Sequence, residues 1–235
     1  MGSADLPVHT DDAEHFWALL DPAHRELLVA SGHTHEHPAG TILIREGDSA
    51  DSVIVLLSGR VKVTATGVTG HQGLLGIRTA GDVVGEMAAI EERRRSATVI
   101  AIDRLKLLRI PVADFVRLIR SEAGISYALL RVVSKRLRSS DRKRLESGES
   151  TTAQRVATAL SELCVDHGVL KAGQVTILLP FSQEDLAMMV GASREAVVRA
   201  LRDLRAEGII RTGRRRITVL QPDALGRKAF YVTDC

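Results

Sequence analysis

The sequence predicts an α+β chain in three parts: an N-terminal antiparallel β-roll, a long dimerisation helix and a C-terminal winged helix-turn-helix. Three observations carry this. Seven short β-branched and aliphatic segments separated by glycine-bearing turns fill positions 33–110, a helical period runs from about Glu122 to Glu146, and two short helices flank a tight turn within 181–206. The expected divisions are 1–110 for N-terminal helices and roll, 111–149 for the long helix and a hinge, and 150–235 for the winged helix-turn-helix.

Between positions 10 and 31, charged residues alternate with Phe16, Trp17, Leu19, Leu20, Leu27 and Leu28, a pattern for short helices packed on the roll. Strands are expected at 33–37, 41–44, 53–57, 61–66, 74–77, 97–102 and 105–110, evenly spaced as in a small antiparallel barrel or roll able to hold one small ligand. His33, His35 and His37 share one face of the first strand, since alternate residues point the same way. Three imidazoles there would make a zinc set, but an exposed edge-strand face explains them equally well and no fourth ligand lies nearby.

Pro111 opens a helix where a missing amide costs nothing. In the long helix Ile125, Leu129, Val132, Val133 and Leu137 make a seam suited to a second copy of the chain. Arg131, Lys135, Arg136, Arg138, Arg142, Lys143 and Arg144 make its far end basic, expected to be solvated or near a polyanion. A hinge at 147–150 comes next, and then a helix over 152–166.

Ser182 caps the first helix of the helix-turn-helix, Leu186, Ala187 and Val190 form its inner face, and Gly191 ends it. Ser193 caps the second. There Val197, Ala200, Leu201 and Leu204 point inward and leave Arg194, Glu195, Val198, Arg199 and Arg202 outward. Arginine offers a donor fork matching guanine O6 and N7, and glutamate accepts from cytosine N4, so such a face fits major-groove readout. Residues 209–211, a Thr212-Gly213 turn and 214–220 read as a two-stranded wing whose tip carries Arg214, Arg215 and Arg216, placed to lie along phosphates.

At 235 residues and 45% apolar content the chain suits a globular protein, and no stretch reads as a secretory signal or membrane span, which places it in the cytoplasm with no membrane partner. Cys164 and Cys235 are too few for a disulfide framework or a cysteine-held metal cluster. The net charge of +3 hides an asymmetry: 13 basic against 17 acidic residues up to position 124, then 19 against 12. Only the second half is built to meet a polyanion such as double-stranded DNA.

Within 81–99 a glycine lets backbone amides approach an anion, a short helical turn comes after it, and Arg95 lies nine residues beyond Glu86. The amides and Arg95 could hold a phosphate while Glu86 accepts from a sugar hydroxyl. Arg93 and Arg94 read as a solvated loop, whereas Arg95 abuts the strand at Ser96-Ala97 and is fixed in direction.

Gly85-Glu86-Met87-Ala88 with Arg95-Ser96-Ala97 resembles the phosphate-binding cassette of cyclic-nucleotide-binding domains. Together with Ser193-Arg194-Glu195-Ala196-Val197-Val198-Arg199 it resembles the CRP/FNR family of bacterial transcription regulators, over nearly the whole chain from about Leu19 to Val219. The resemblance implies a cyclic-nucleotide-binding-like jelly roll with a cyclic nucleotide, cyclic AMP foremost, as effector. It implies that Glu86 meets the ribose 2′-hydroxyl, and that Arg95, Ser96 and the Gly85 backbone hold the cyclic phosphate. It further implies that Arg194, Glu195 and Arg199 read base edges of a half-site similar to TGTGA, that the molecule works as a homodimer, and that RNA polymerase is a partner. Ser140 and Asp141 fall where the family places purine contacts late in the long helix.

Two departures stand out. Asp141 puts a carboxylate near a nucleotide phosphate, and 91–94 read Glu-Glu-Arg-Arg where many members turn on glycine or proline. The cysteines of the iron-sulfur branch are absent from the N-terminal region. The same features admit a DNA-binding regulator whose roll takes no nucleotide, or responds to another metabolite or to redox state through Cys164. An enzyme regulated by the roll would need a nucleophile–base pair, a P-loop or a metal cluster; none is seen, so no catalytic residue and no metal are expected.

Overall fold

The computed structural model describes residues 15–67, 70, 72–178, 182–213 and 216–229, and gives the backbone alone at 142–149. Contacts divide the chain into two units, Met1–Arg138 and Ser139–Cys235, with the division inside one helix. Arg214 and Arg215 lie outside the described residues.

In the first unit, Asp21 accepts from the His24 amide and caps α1 (Pro22–Ala30), whose proline sits in the first turn. Then come β1 (His33–His37), β2 (Ile42–Ile44), β3 (Ser52–Ser58), β4 (Val61–Thr66), β5 (Gln72–Arg78), β6 (Val83–Val84), α2 (Glu86–Glu91), β7 (Thr98–Ala101), β8 (Leu105–Pro111), α3 (Val112–Ser121) and α4 (Ala123–Glu149). They form two four-stranded antiparallel sheets, ordered β1-β8-β3-β6 and β2-β7-β4-β5.

The run Val53-Ile54-Val55-Leu56 is apolar without a break because both faces of β3 are covered. Ile54 and Leu56 join Ile44, Val61, Val99 and Leu107 in one core. Val53 and Val55 join Phe16, Leu28, Leu108, Phe115, Leu118 and Ile125 in a second, under the helices. Each such fully buried aliphatic side chain contributes about 2 kcal/mol relative to exposure. The two-residue strand β6 pairs with β3 and was not foreseen, since its valines merge with the adjoining cassette.

Three expectations for the helices change. Pro111 ends β8 and stands at the cap of α3 rather than inside it. The expected hinge at 147–150 is helical up to Glu149, leaving Ser150 and Thr151 before the next helix. The seam splits: Ile125, Leu129 and Val132 are buried in their own unit's core, while Tyr127 (64% exposed), Leu130 (61%) and Leu137 (61%) stay open beside the less exposed Val133.

The second unit contains α5 (Thr152–His167), β9 (Gly168–Lys171), β10 (Gln174–Ile177), α6 (Gln183–Val190), α7 (Arg194–Ala206), β11 (Ile210–Gly213), β12 (Arg216–Val219) and α8 (Pro222–Lys228). Thr151 and Gln154 form a capping box that fixes the start of α5. The wing is not a lone hairpin: β11 and β12 continue into β10 and β9 as one four-stranded antiparallel sheet. Cys164 is buried in α5.

Candidate functional site

The cassette is built at the β6–α2 junction. Gly85 adopts φ +81°, and a Cβ there would meet the Arg95 Nη1 at 2.6 Å, so only glycine admits both this turn and that guanidinium. Glu86, in the first turn of α2, is 3% exposed, and Ala88 is also buried. Met87 and Ser96 face solvent.

Arg95 is brought in by backbone ties to the turn after β2: its amide donates to Asp48 O at 2.9 Å, and Gly47 N donates to Arg95 O at 2.9 Å. Its guanidinium, 5% exposed as a residue, donates from Nη1 to Gly85 O (3.0 Å), and from Nη2 to Ser52 O (2.6 Å) and Asp51 Oδ1 (2.9 Å). Arg109 adds a hydrogen bond to Ser52 Oγ at 3.1 Å and stands 3.8 Å from Asp51. Partial burial pushes the Asp51 carboxyl up, but hydrogen bonds from Ser52 and Arg95 outweigh it and hold it below the ordinary aspartate value. Arg94 donates to Gly47 O at 2.8 Å, and Arg93 lies in the open as expected.

Glu86 and Arg95 therefore share a site, yet each already has a partner from its own chain. Glu86 is met by Arg136, whose Nη1 is 2.7 Å from Glu86 Oε1 and whose Nη2 donates to Val83 O at 2.7 Å. This corrects the reading of Arg136 as part of a solvated basic end. Sequence reasoning also missed Asp51 and Asp82. A signal for Arg136 was present: it lies seven residues after Leu129 and four after Val132, and so continues the buried stripe of α4.

Arg136 Nη2 also lies 3.9 Å from Asp82 Oδ1, which is 3.2 Å from His15 Nδ1, and Asp82 Oδ2 accepts from Thr79 N at 2.9 Å. Burial raises the Asp82 carboxyl, but the His15 hydrogen bond and the charges of Arg78 and Arg136 more than offset it and leave its pKa below the ordinary value.

Ser140 and Asp141 are exposed on α4 beyond the division between units. The histidine face of β1 lies on a sheet edge, with the His35 and His37 rings 6.3 Å apart and stacked. Among the described residues no three His, Cys, Asp or Glu side chains gather into a metal site.

In the second unit both serines act as caps. Ser182 Oγ accepts from Asp185 N at 3.1 Å while its own amide donates to Asp185 Oδ2 at 2.8 Å; Ser193 Oγ accepts from Ala196 N at 3.2 Å. Gly191, at φ +61°, turns the chain between α6 and α7. Val197, Ala200, Leu201 and Leu204 are buried, so α7 presents Arg194, Glu195, Arg199 and Arg202 to solvent with Val198 half-buried among them. Arg202 is 3.4 Å from Asp203 Oδ1, whereas Arg194 and Arg199 have no partner among the described residues. Arg205 donates to Thr212 Oγ1 at 3.0 Å and ties α7 to β11.

Comparisons with known proteins agree with this division of labour. Residues 34–122 match the cyclic nucleotide-binding domain family, and residues 154–228 match the Crp-like helix-turn-helix domain family. A CRP-like cAMP-activated global transcriptional regulator of Mycobacterium tuberculosis is 28% identical over 194 residues, covering 83% of this chain and 87% of that one. The cyclic AMP receptor protein of Thermus thermophilus is 28% identical over 211 residues, covering 90% and 94%. The structure of the c-di-GMP-responsive global regulator CLP of Xanthomonas campestris superposes with a TM-score of 0.75 at 26% identity, over 85% of this chain and 99% of that one. Among the described residues no helix is long and apolar enough to cross a membrane. With a cyclic nucleotide-binding domain ahead of a Crp-like helix-turn-helix, the chain belongs to the CRP/FNR family of DNA-binding transcription regulators.

Proposed function

We propose that this regulator is a cytoplasmic homodimer that binds a cyclic nucleotide in its roll, cyclic AMP foremost, and in response reads a specific duplex sequence with α7. The observation that carries the DNA half is the sidedness of α7: an apolar face wholly buried and an opposite face bearing Arg194, Glu195, Arg199 and Arg202. On this reading Arg194, Glu195 and Arg199 address base edges, Ser182 and Ser193 set the helix ends against phosphates, and Arg202, Arg214 and Arg215 supply sequence-independent contacts. Two such helices one duplex turn apart, about 34 Å, would read a palindrome. The stripe of Tyr127, Leu130, Val133 and Leu137 is the surface that supports pairing of two chains.

For the ligand half, Glu86 and Arg95 within one cassette support a sugar hydroxyl and a cyclic phosphate, with the Gly85 backbone, Met87, Ala88 and Ser96 around them; Ser140 and Asp141 are the purine contacts that the family resemblance implies. A ligand shifts the DNA-competent state only through its tighter binding to that state. RNA polymerase is the protein partner we expect at a promoter, in keeping with relatives named as global transcriptional regulators.

A second reading is favoured by one observation: Arg95 and Glu86 are both already satisfied, by Asp51 and Arg136. On it the roll takes no nucleotide, and DNA binding is constitutive or obeys another signal. Duplexes selected from a random pool, retested with cyclic AMP, cyclic GMP and c-di-GMP, separate the readings. Nucleotide-enhanced retention supports the first and nucleotide-indifferent retention the second. Failure to select any sequence removes both.

A further inference from the structure

On the open side of α7 the largest apolar side chain is Val198, half-buried and set among charges. The buried stripe of the helix consists of Val197, Ala200, Leu201 and Leu204, and Val198 lies outside it. Helix formation does not favour valine there, since a β-branched residue loses side-chain freedom in a helix and alanine is the better former.

One turn away from Val198 stand Arg194 and Glu195 before it and Arg202 after it, with Arg199 next in the chain. Each of these carries donors or acceptors that suit a base edge or a phosphate. Val198 carries neither. Placed against a phosphate or a polar base edge, it would strip water from that group and return no hydrogen bond. Against an apolar group nothing is lost, and the C5-methyl of thymine is the apolar group that base pairs show in the major groove. The valine is also ready for such a contact: one χ1 rotamer dominates in a helix, so little freedom remains to be lost when its γ-methyls meet the base.

Resting on the reading of α7 as the helix that enters DNA, we propose that Val198 is a specificity-determining residue that recognises a thymine through its 5-methyl group. The half-site then contains a thymine that the arginines and Glu195 do not select. Its place is set by the helix: Val198 stands four residues, about 6 Å of axial rise, beyond Arg194, and consecutive bases of one strand are about 3.4 Å apart. The thymine therefore lies within about two base pairs of the pair whose preference depends on Arg194.

The test uses the full chain and the duplex it selects from a random pool with cyclic AMP present. Each thymine of one half-site is replaced in turn by deoxyuridine, which pairs with adenine as thymine does and lacks only the methyl. At one position the wild-type chain should bind about fourfold more weakly, the worth of one apolar carbon taken out of water. At that position Val198→Ala should bind thymine and uracil duplexes alike, and should match the wild type on the uracil duplex, as two halves of one contact do. Arg194→Ala should keep the uracil sensitivity while blurring a base pair within about two steps of it.

The first measurement is made on the unaltered chain, and Val198→Ala leaves the buried stripe of α7 intact, so folding does not enter the outcome. A half-site without thymine, or one in which no uracil weakens binding, overturns the proposal and leaves the DNA reading in place. Sensitivity that survives in Val198→Ala also overturns it, because the methyl then acts through stacking or groove shape and not against this side chain. If no duplex is selected at all, the reading of α7 fails and the assignment of Val198 falls with it.

Discussion

Glu86 Oε1 and Arg136 Nη1 stand 2.7 Å apart across fifty residues of chain, joining the first turn of α2 to the middle of α4. The pair is asymmetric in its exposure, 4% for Glu86 against 22% for Arg136. Replacing Arg136 by Met leaves a carboxylate buried without a counter-charge, and the chain should lose about 3 kcal/mol in urea unfolding. Adding Glu86→Gln to that variant should restore most of the loss, because the unpaired charge is gone. Additive losses in the double variant would show that the two side chains are not energetically coupled.

Asp82 gives a pH prediction with a definite sign. Its pKa in the folded chain is held below the ordinary aspartate value, despite burial, by His15, Arg78 and Arg136. The unfolded chain therefore takes up the proton first as pH falls, and the stability contributed by this carboxylate is present above about pH 4 and lost below it, through the lowered folded value. The melting temperature of Asp82→Asn should trail the wild type at about pH 5 and above and close on it in acid. A gap that widens in acid would reverse the assignment.

Glu92 ends α2 in the left-handed region, at φ +54° and ψ +38°, where its amide reaches back to Ala88 O. A non-glycine side chain there is strained against its own backbone by about 1 kcal/mol. Glu92→Gly should raise stability by up to about 1 kcal/mol, less the entropy that glycine adds to the unfolded chain. A fall in the urea midpoint would mean that the Glu92 side chain contributes more than its strain costs.

Most of the roll was legible in the sequence because its strands alternate with glycine turns: β1 and β4 span the positions expected, and β3 and β8 are within a residue of them. The helix-turn-helix was legible for a different reason, since Ser182, Gly191 and Ser193 are local stop and start signals that act on neighbouring amides. The β9–β10 hairpin escaped because Val169 and Leu170 are apolar yet exposed, so no alternation marks the strand. Partners distant in sequence were not legible. Asp51 meets Arg95 forty-four residues away, and nothing in either local pattern names the other. The seam of α4 was half legible: helical spacing identified apolar positions but not which of two adjacent stripes faces the roll.

That ambiguity gives the fourth prediction. Leu130 and Leu137 are seven apart, two turns along one face of α4, and both are 61% exposed. If they form the contact between two copies, Leu130→Arg with Leu137→Arg should shift the chain from dimer to monomer in sedimentation. Melting of the roll should change by less than about 0.5 kcal/mol, as for exposed positions. Leu129→Arg, by contrast, should unfold the first unit, since Leu129 is in its core. A double-arginine variant that still sediments as a dimer would move the interface elsewhere.

The last prediction separates reading from positioning on DNA. Arg199 projects from the open face of α7 without a partner among the described residues, so its guanidinium is available for a bidentate contact. Arg215 lies between β11 and β12, outside the described residues, where the sequence sets three consecutive arginines. Arg199→Ala should cost about 1–3 kcal/mol on the selected duplex and blur preference at one base pair, leaving random duplex nearly untouched. Arg215→Ala should weaken selected and random duplexes alike and reduce the slope of log affinity against log salt by about one, the loss of one phosphate contact. The two outcomes differ because a base edge carries sequence information and a phosphate does not, and the helix that carries Arg199 is held at both ends by structure independent of DNA: the Ser193 cap and the Arg205 bond to Thr212. Equal losses from both variants on both duplexes would place Arg199 on the backbone and leave the base reading to Arg194 and Glu195.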